Sequence, residues 1–464
     1  MRADLLTDAV EGLDEALAAV DGFDDTLVGG LLRPQPAQAG GLAGLADAVA
    51  GSPLAARVAE AAEKTAAGAA GEEHFVALAA ARTALLGSVH DALVARVEEA
   101  VGRPPAEESG GAAADGAEHA VNLHAAARSW LCDLARAGWQ GIDHELVGGA
   151  APVVSAMLPD PALRRLATLL DGFAAELAAS CPGSGLERVP VRRWADLWSR
   201  AMLLTLPGAA SAPAAEEATG RLLPLGVDVQ EHATAVQAQV HAVFEPAGGG
   251  TPRLVRASVS APKPDTVVGA GLWQLLRPHM SLLAAVGEGR AMELDAMPVT
   301  AEGDLVWDDA RARTGEPAEA FATARVALPA ATASPTAPLD RHPARIAVPV
   351  LLEGYTVEEG EEGVAFQLAG QRIAVDVDRV PAAGPLTPEV VGSSGACLAL
   401  LRWDAGEFLL QPLAVERTVR KKPVAVHAGA WAGGTTDKAG VRAEKAATDA
   451  VKVLRERAGR LLRK

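Results

Sequence analysis

The sequence predicts an α+β protein with an all-helical N-terminal half, a mostly antiparallel β domain and a basic C-terminal helix. Three observations carry that prediction. Apolar residues recur at three- and four-residue steps through residues 1–244, the period of a helix face. After residue 252 the period changes to two, as in half-buried strands. Beyond residue 420 cations accumulate on a renewed helical stripe.

The first helical region, residues 1–102, carries Leu5, Leu6, Val10, Leu13, Leu17 and Val20, then Phe75, Leu78, Leu85, Val89, Leu93 and Val97. Residues 103–118 mix Pro, Gly and acids without an apolar period and read as a linker. The second helical region, residues 119–244, holds the stripe Leu163, Leu166, Leu169, Leu170, Phe173 and Leu177 and a tryptophan helix at 192–206, and residues 228–244 are expected to close it. Short links between these helices suggest antiparallel hairpins. The softer break at 207–216 is alanine-rich, whereas EPAGGGTP at 245–252 gives the sharpest boundary, because three glycines between prolines cannot continue a helix.

The β domain is expected over residues 252–432, as a small barrel or sandwich. Its strands are 252–260, 345–353, 363–378 and 395–416, with hairpin tips at Ala369-Gly370-Gln371 and Asp404-Ala405-Gly406. A helix is expected within 265–287, and 328–343 reads as a proline-rich loop. In the final region, residues 436–464, Thr436 and Asp437 can cap a helix whose stripe includes Val441, Val451, Leu454 and Leu461.

Charge is unevenly distributed. The net −17 divides into 12 basic and 4 acidic residues from Arg420 to Lys464, against 30 basic and 55 acidic residues before them. Alanine supplies 101 of the 464 residues and only 3% are aromatic, so the positive mean hydropathy reflects alanine and not a membrane segment. No apolar run of about 18 residues is present and the first residues lack a signal-peptide pattern. Cys132, Cys181 and Cys397 form neither a disulfide framework nor a C-x-x-C pair, so a cytoplasmic location is expected.

Motifs for chemistry are weak. His119 and His124 are five apart, which on a helix points them in opposite directions, and His144-Glu145 lacks a second histidine; His232 and His241 also diverge at helical spacing. Gly392-Ser393-Ser394-Gly395 is not a nucleophile elbow. The glycines at 433–434 lack phosphate-loop spacing, and Gly269-Ala270-Gly271 lacks the third glycine of a dinucleotide fingerprint. Asp304, Asp308 and Asp309 cluster in sequence, as do Glu358, Glu359, Glu361 and Glu362 around Gly360. Asp376 and Asp378 are expected to share one face of a strand, as a solvent-facing pair or, alternatively, where a divalent ion could sit. No catalytic residue, cofactor or metal ligand is assigned.

Two features suggest partners. Trp194 and Trp198 lie one turn apart with Arg193 beside them, which suits either a core helix with arginine stems over the rings or a binding hot spot. Lys452, Arg455, Arg460 and Arg463 of the basic helix can meet an acidic protein surface, nucleic acid or an anionic membrane, or the chain's own acidic helices. The segment VPVRRWADLWSRAMLL, residues 189–204, resembles one in uncharacterised proteins of GC-rich bacteria, encoded beside SWIM zinc-finger, MoxR-type AAA ATPase and von Willebrand factor A domain proteins. That resemblance implies an accessory part in an ATPase-linked assembly and assigns no residue a role. The expectation is therefore a non-enzymatic interaction protein. The alternatives are a metal-assisted hydrolase with its site in the β domain, or nucleic-acid binding through the tail.

Overall fold

The computed structural model describes residues 1–103, 121–186, 188–209, 215–232, 234–264, 267–277, 281–360 and 363–461; the expected linker after Arg103, and His119, lie outside them. The helices of the N-terminal half are α1 (Asp4–Thr7), α2 (Leu13–Gly29), α3 (Pro36–Ala48), α4 (Ala55–Ala66), α5 (Glu72–Val101), α6 (Val121–Ala137), α7 (His144–Gly148), α8 (Ala150–Met157), α9 (Arg164–Ala179) and α10 (Val191–Leu204). Phe23, Leu27, Leu78, Leu131, Phe173, Trp194 and Trp198 meet in one buried core. Within it the Arg82 guanidinium donates twice to Asp24, at 2.6 and 2.9 Å, joining α5 to α2.

Helix α5 runs 30 residues without a proline. It ends where Gly102 turns left-handed at φ 70°, a conformation glycine adopts without strain, and the Arg103 N–H bonds back to the Glu98 carbonyl at 2.9 Å. Its first half belongs to the helical core. Val89, Leu93 and Val97 in its second half pack instead on Val350, Leu352, Cys397 and Leu401 of a β-sheet.

The strands form two sheets. The first contains β1 (Ala215–Glu231), β2 (Ala235–Pro246), β3 (Arg253–Pro262), β4 (Arg290–Thr300), β5 (Asp304–Leu305) and β6 (Ala312–Pro317). Its order is β1-β2-β3-β5-β4-β6, and β1 also pairs with β4, so the sheet closes on itself. Helices α11 (Gly271–Leu276) and α12 (Ser281–Glu288) fill one face, packing Leu272, Trp273 and Leu283 against Val227, Val240 and Phe244. Helix α13 (Ala320–Val326) leads on to the second sheet.

That sheet holds β7 (Val348–Glu353), β8 (Thr356–Gly360), β9 (Gly363–Leu368), β10 (Gln371–Val375), β11 (Ala396–Asp404), β12 (Glu407–Val419) and β13 (Lys422–His427), with α14 (Pro388–Gly392) between β10 and β11. Its order is β7-β11-β12-β10-β9-β8, with β13 beside β12. All pairs in both sheets are antiparallel except β3–β5 and β10–β12. Both expected hairpins form: Ala369-Gly370 (φ 52° and 85°) and Ala405-Gly406 (φ 49° and 93°) take the paired positive φ of a two-residue turn. Leu223, Leu225 and Val243 of the first sheet pack on Leu398 and Ala414 of the second. The chain ends in α15 (Lys438–Leu461).

Four expectations need correction. Residues 215–231 and 235–246 are strands β1 and β2 and not the close of the helical half. Gly220, Pro224 and Gly226 oppose a helix there, and the two-residue alternation Val236-Gln237-Ala238-Gln239-Val240 is disguised by alanine. The glycine-rich segment 245–252 is accordingly the β2–β3 connection inside one sheet and not a boundary between regions. The basic residues Arg420, Lys421 and Lys422 belong to the β12–β13 hairpin, with Arg420 and Lys421 at positive φ, so only part of the basic excess lies on the helix. The fourth correction concerns Asp376 and Asp378. They lie past the end of β10, where Asp376 caps a 3-10 turn and pairs with Arg379 at 2.9 Å.

Candidate functional sites: a polar cleft and a basic helix

Alternation along the first sheet gives it one apolar face and one that is apolar at Leu223, Leu225 and Val243 and polar beside them. Asp228 pairs with Gln239 across β1 and β2, His241 with Arg256 across β2 and β3, and Arg256 with Asp304 across β3 and β5. These side chains face the second sheet and the end of α5. Arg402 of β11 donates to Asp228 at 2.8 Å, and Gln411 of β12 donates to its other oxygen at 2.7 Å. Burial pushes the Asp228 carboxyl up, but Arg402 and the amides of Gln411 and Gln230 outweigh it and hold the group below the ordinary carboxylate range. His241 is displaced the other way on the pH scale from a buried acid: burial lowers it to about 4 despite attraction from Asp228, so the ring is neutral at pH 7.

Two hollows open on this polar face. One, of about 340 Å³, lies between α5, the first sheet and the 333–349 segment, and includes His90, Glu98, Arg103, His241 and Glu302 in its wall. The other, a cleft of about 910 Å³, includes Asp228, Asp304, Asp340, Arg379 and Arg402. Gln239, Arg256, Thr336, Arg345 and Ala347 line both, so they are neighbouring parts of one depression. In the larger cleft the guanidiniums are paired: Arg256 with Asp304, Arg345 with Asp340, Arg379 with Asp376 and Arg402 with Asp228.

The smaller hollow differs. Arg103 Nη2 donates to the Pro349 carbonyl at 3.1 Å, but its Nε and Nη1 have no partner; neither does His241 Nε2 nor Glu302 Oε2. Burial raises Glu98 and lowers Arg103, and each offsets the shift of the other through its charge. The hydroxyl of Ser334 is spent on the Leu254 carbonyl at 3.0 Å. The hollow thus holds charged and hydrogen-bonding groups that the fold itself leaves unused.

The sequence-derived candidates fall elsewhere. Trp194 is 1% exposed and Trp198 fully buried, so neither ring is available to a partner and the hot-spot alternative is corrected to a core helix. They share a helix face without stacking on each other: Trp194 meets Trp139 edge-on at 5.7 Å, and Trp198 meets Phe23 and donates to the Leu131 carbonyl. Arg193 does reach the surface, where it pairs with Glu176. Of the basic-helix residues, Lys452 and Arg460 are exposed, the side chain of Arg455 is not described and Arg463 lies outside the described residues.

Helix α15 starts at a cap in which the Gly440 N–H donates to Asp437. Glu444 pairs with Arg277, and Gln274 donates to the Glu444 carbonyl and to Thr448. Among the described residues, none of Lys438, Arg442, Lys445, Lys452, Arg457 and Arg460 closes an ion pair. The helix is therefore tethered by its acid, with its cations and Val453, 46% exposed, facing outward.

The remaining candidates are occupied structurally. Asp304 pairs with Arg256, Asp308 caps the Ala310 N–H, and Asp309 accepts from Ser281 and Trp307, so the three diverge. Ser394 shares a hydrogen bond with Tyr355 at 2.7 Å. Cys132 is buried in the helical core with its thiol raised to about 12 by burial, and His144 is exposed beside the Asp143 cap of α7. Glu361 and Glu362 lie outside the described residues. Among the described residues no group of three His, Cys, Asp or Glu side chains is placed to hold a metal ion, and no helix is long and apolar enough to cross a membrane. The cleft residues were missed because Arg103, His241, Glu302 and Arg402 are far apart in sequence; the available signal was the polar alternation Asp228-Gln230 and Gln237-Gln239-His241 on otherwise apolar strands. Compared with protein-family models, curated proteins and solved structures, the chain matches none.

Proposed function

We propose that the chain is a non-enzymatic interaction protein that docks onto an acidic surface of a partner protein through α15. The observation that carries this reading is the unspent charge of the helix: its only described ion pair to the body uses Glu444, while Lys445, Lys452, Arg457 and Arg460 stay exposed. A helix held on its own acidic body would spend those cations there. An exposed valine among them suits a protein surface, which offers apolar contact as well as charge. The resemblance over residues 189–204 supports an accessory part in an ATPase-linked assembly, and we extend the proposal to that role.

The test compares the full chain with a K452E/R457E/R460E variant. Partners captured from cells at low salt are identified, purified and titrated against both proteins, with a duplex DNA oligonucleotide and anionic vesicles as parallel arms. An acidic partner protein should bind the full chain and lose most of its affinity for the variant. Equal binding by both proteins sinks the proposal, as does DNA retention that falls steeply with salt and accounts for all binding. Localisation in the cytoplasm belongs to the same proposal.

A further inference from the structure

The hollow beside α5 brings together buried polar atoms that the fold leaves unused. Arg103 is 6% exposed and His241 5%, yet Arg103 Nε and Nη1 and His241 Nε2 lack partners, and Glu302 Oε2 joins them from the β4–β5 turn. Buried polar groups are ordinarily satisfied within the protein, and several unsatisfied ones around one void mark a site that is completed by something else. The three residues come from different elements: the end of α5, the middle of β2 and a turn of the same sheet. Each is fixed by the backbone around it. Arg103 is set by the Gly102 turn and its bond to Pro349, His241 by ladders to both neighbouring strands, and the Glu302 turn by Gly303, at φ 78° and packed under Ser334.

Charge limits what can enter. Arg256, Arg341 and Arg345 are already paired, with Asp304, Asp91 and Asp340, whereas Arg103 keeps Nε and Nη1 unpartnered. Glu98 and Glu302 share the wall with it. A dianion such as phosphate would meet repulsion from both carboxylates, whereas a carboxylate that also carries a donor meets the free N–H groups of Arg103 at one end and supplies Glu302 with a hydrogen bond at the other. We infer that this cavity binds a small organic carboxylate that also carries hydroxyl or ammonium groups. Arg103 Nε and Nη1 take its carboxylate, Glu302 Oε2 accepts from its hydroxyl or ammonium, and His241 Nε2 completes the hydrogen bonding. The volume of about 340 Å³ is that of a metabolite-sized pocket.

The test uses the full chain with gluconate and L-glutamine as probes, and glucose and inorganic phosphate as comparators, read by thermal shift and titration calorimetry. At least one carboxylate probe should bind saturably and raise the melting temperature, while glucose and phosphate do neither. R103K keeps the charge but loses donor geometry and should weaken binding roughly tenfold or more. E302Q, in a turn at the cavity edge, should weaken it comparably, and decides the matter if R103K fails to fold. No binding by either carboxylate overturns the inference. So does equal binding of phosphate or glucose, or unchanged affinity in folded R103K and E302Q.

Discussion

Asp228 and Arg402 meet at 2.8 Å across the two sheets, each almost wholly buried. Removing one partner strands the other charge, so R402M should destabilise the protein by about 3–5 kcal/mol in urea unfolding. The double variant D228N/R402M should recover a good part of that loss, because no uncompensated charge remains. Equal loss in the single and double variants would mean that the pair matters through packing alone.

A second prediction concerns pH. The folded pKa of His241 is about 4, against about 6.5 in an unfolded chain. Between those values the unfolded chain holds the proton and the folded one does not, so stability falls as pH drops through this window. The effect of this one ring is at most about 3 kcal/mol by pH 4. The charges bearing on the ring are Asp228 and Asp304, which raise its pKa, and Arg256 and Arg402, which lower it. His342, also lowered to about 4 by burial, adds to the same slope. Asp24 opposes it, since burial raises that carboxyl to about 6 and the folded state then gains protons first. Urea unfolding of wild type and H241Q at several pH values between these limits isolates the His241 share: H241Q should show the shallower loss towards low pH.

At Gly226 the two sheets lie close together, and an added Cβ would stand 2.8 Å from Leu413 Cβ. The obstacle is a backbone-anchored atom, so G226A should cost about 1–3 kcal/mol. Gly248, with open space around its Cβ position, is the control, and G248A should change stability by no more than about 0.5 kcal/mol. Thermal unfolding of the two variants side by side checks the contrast.

For the tryptophan helix, W194A should cost about 3–5 kcal/mol by removing a ring packed between Trp139 and Phe173. R193A removes an exposed pair with Glu176 and should cost no more than about 1 kcal/mol. Chemical denaturation measures both. A small effect of W194A would show that the core tolerates the cavity.

Much of the architecture was legible where residue type and period agreed. Leucines and phenylalanines marked the helical stripes, and glycines after Ala369 and Ala405 marked the hairpin tips. Alanine defeated the reading over 215–244 because it suits either period and blurs the alternation that separates strand from helix. The basic helix was legible from charge alone, since its cations are local in sequence. The cavity was not, because Arg103, His241 and Glu302 come together only when the end of α5 is laid against a closed sheet. Nor could the sequence tell that Trp194 and Trp198 face inward, because the arginines beside them suit a core edge as well as a binding surface.

Helix α5 has a consequence for how the molecule comes apart. A rod of 30 residues is about 45 Å long, and one end of it is mortared into the helical core while the other roofs the second sheet. Neither end can melt alone without tearing the same rod, so the helical half and the sheets should denature in a single cooperative transition. Expressing residues 1–204 by themselves would leave Val89, Leu93 and Val97 bare, and that fragment should aggregate rather than fold.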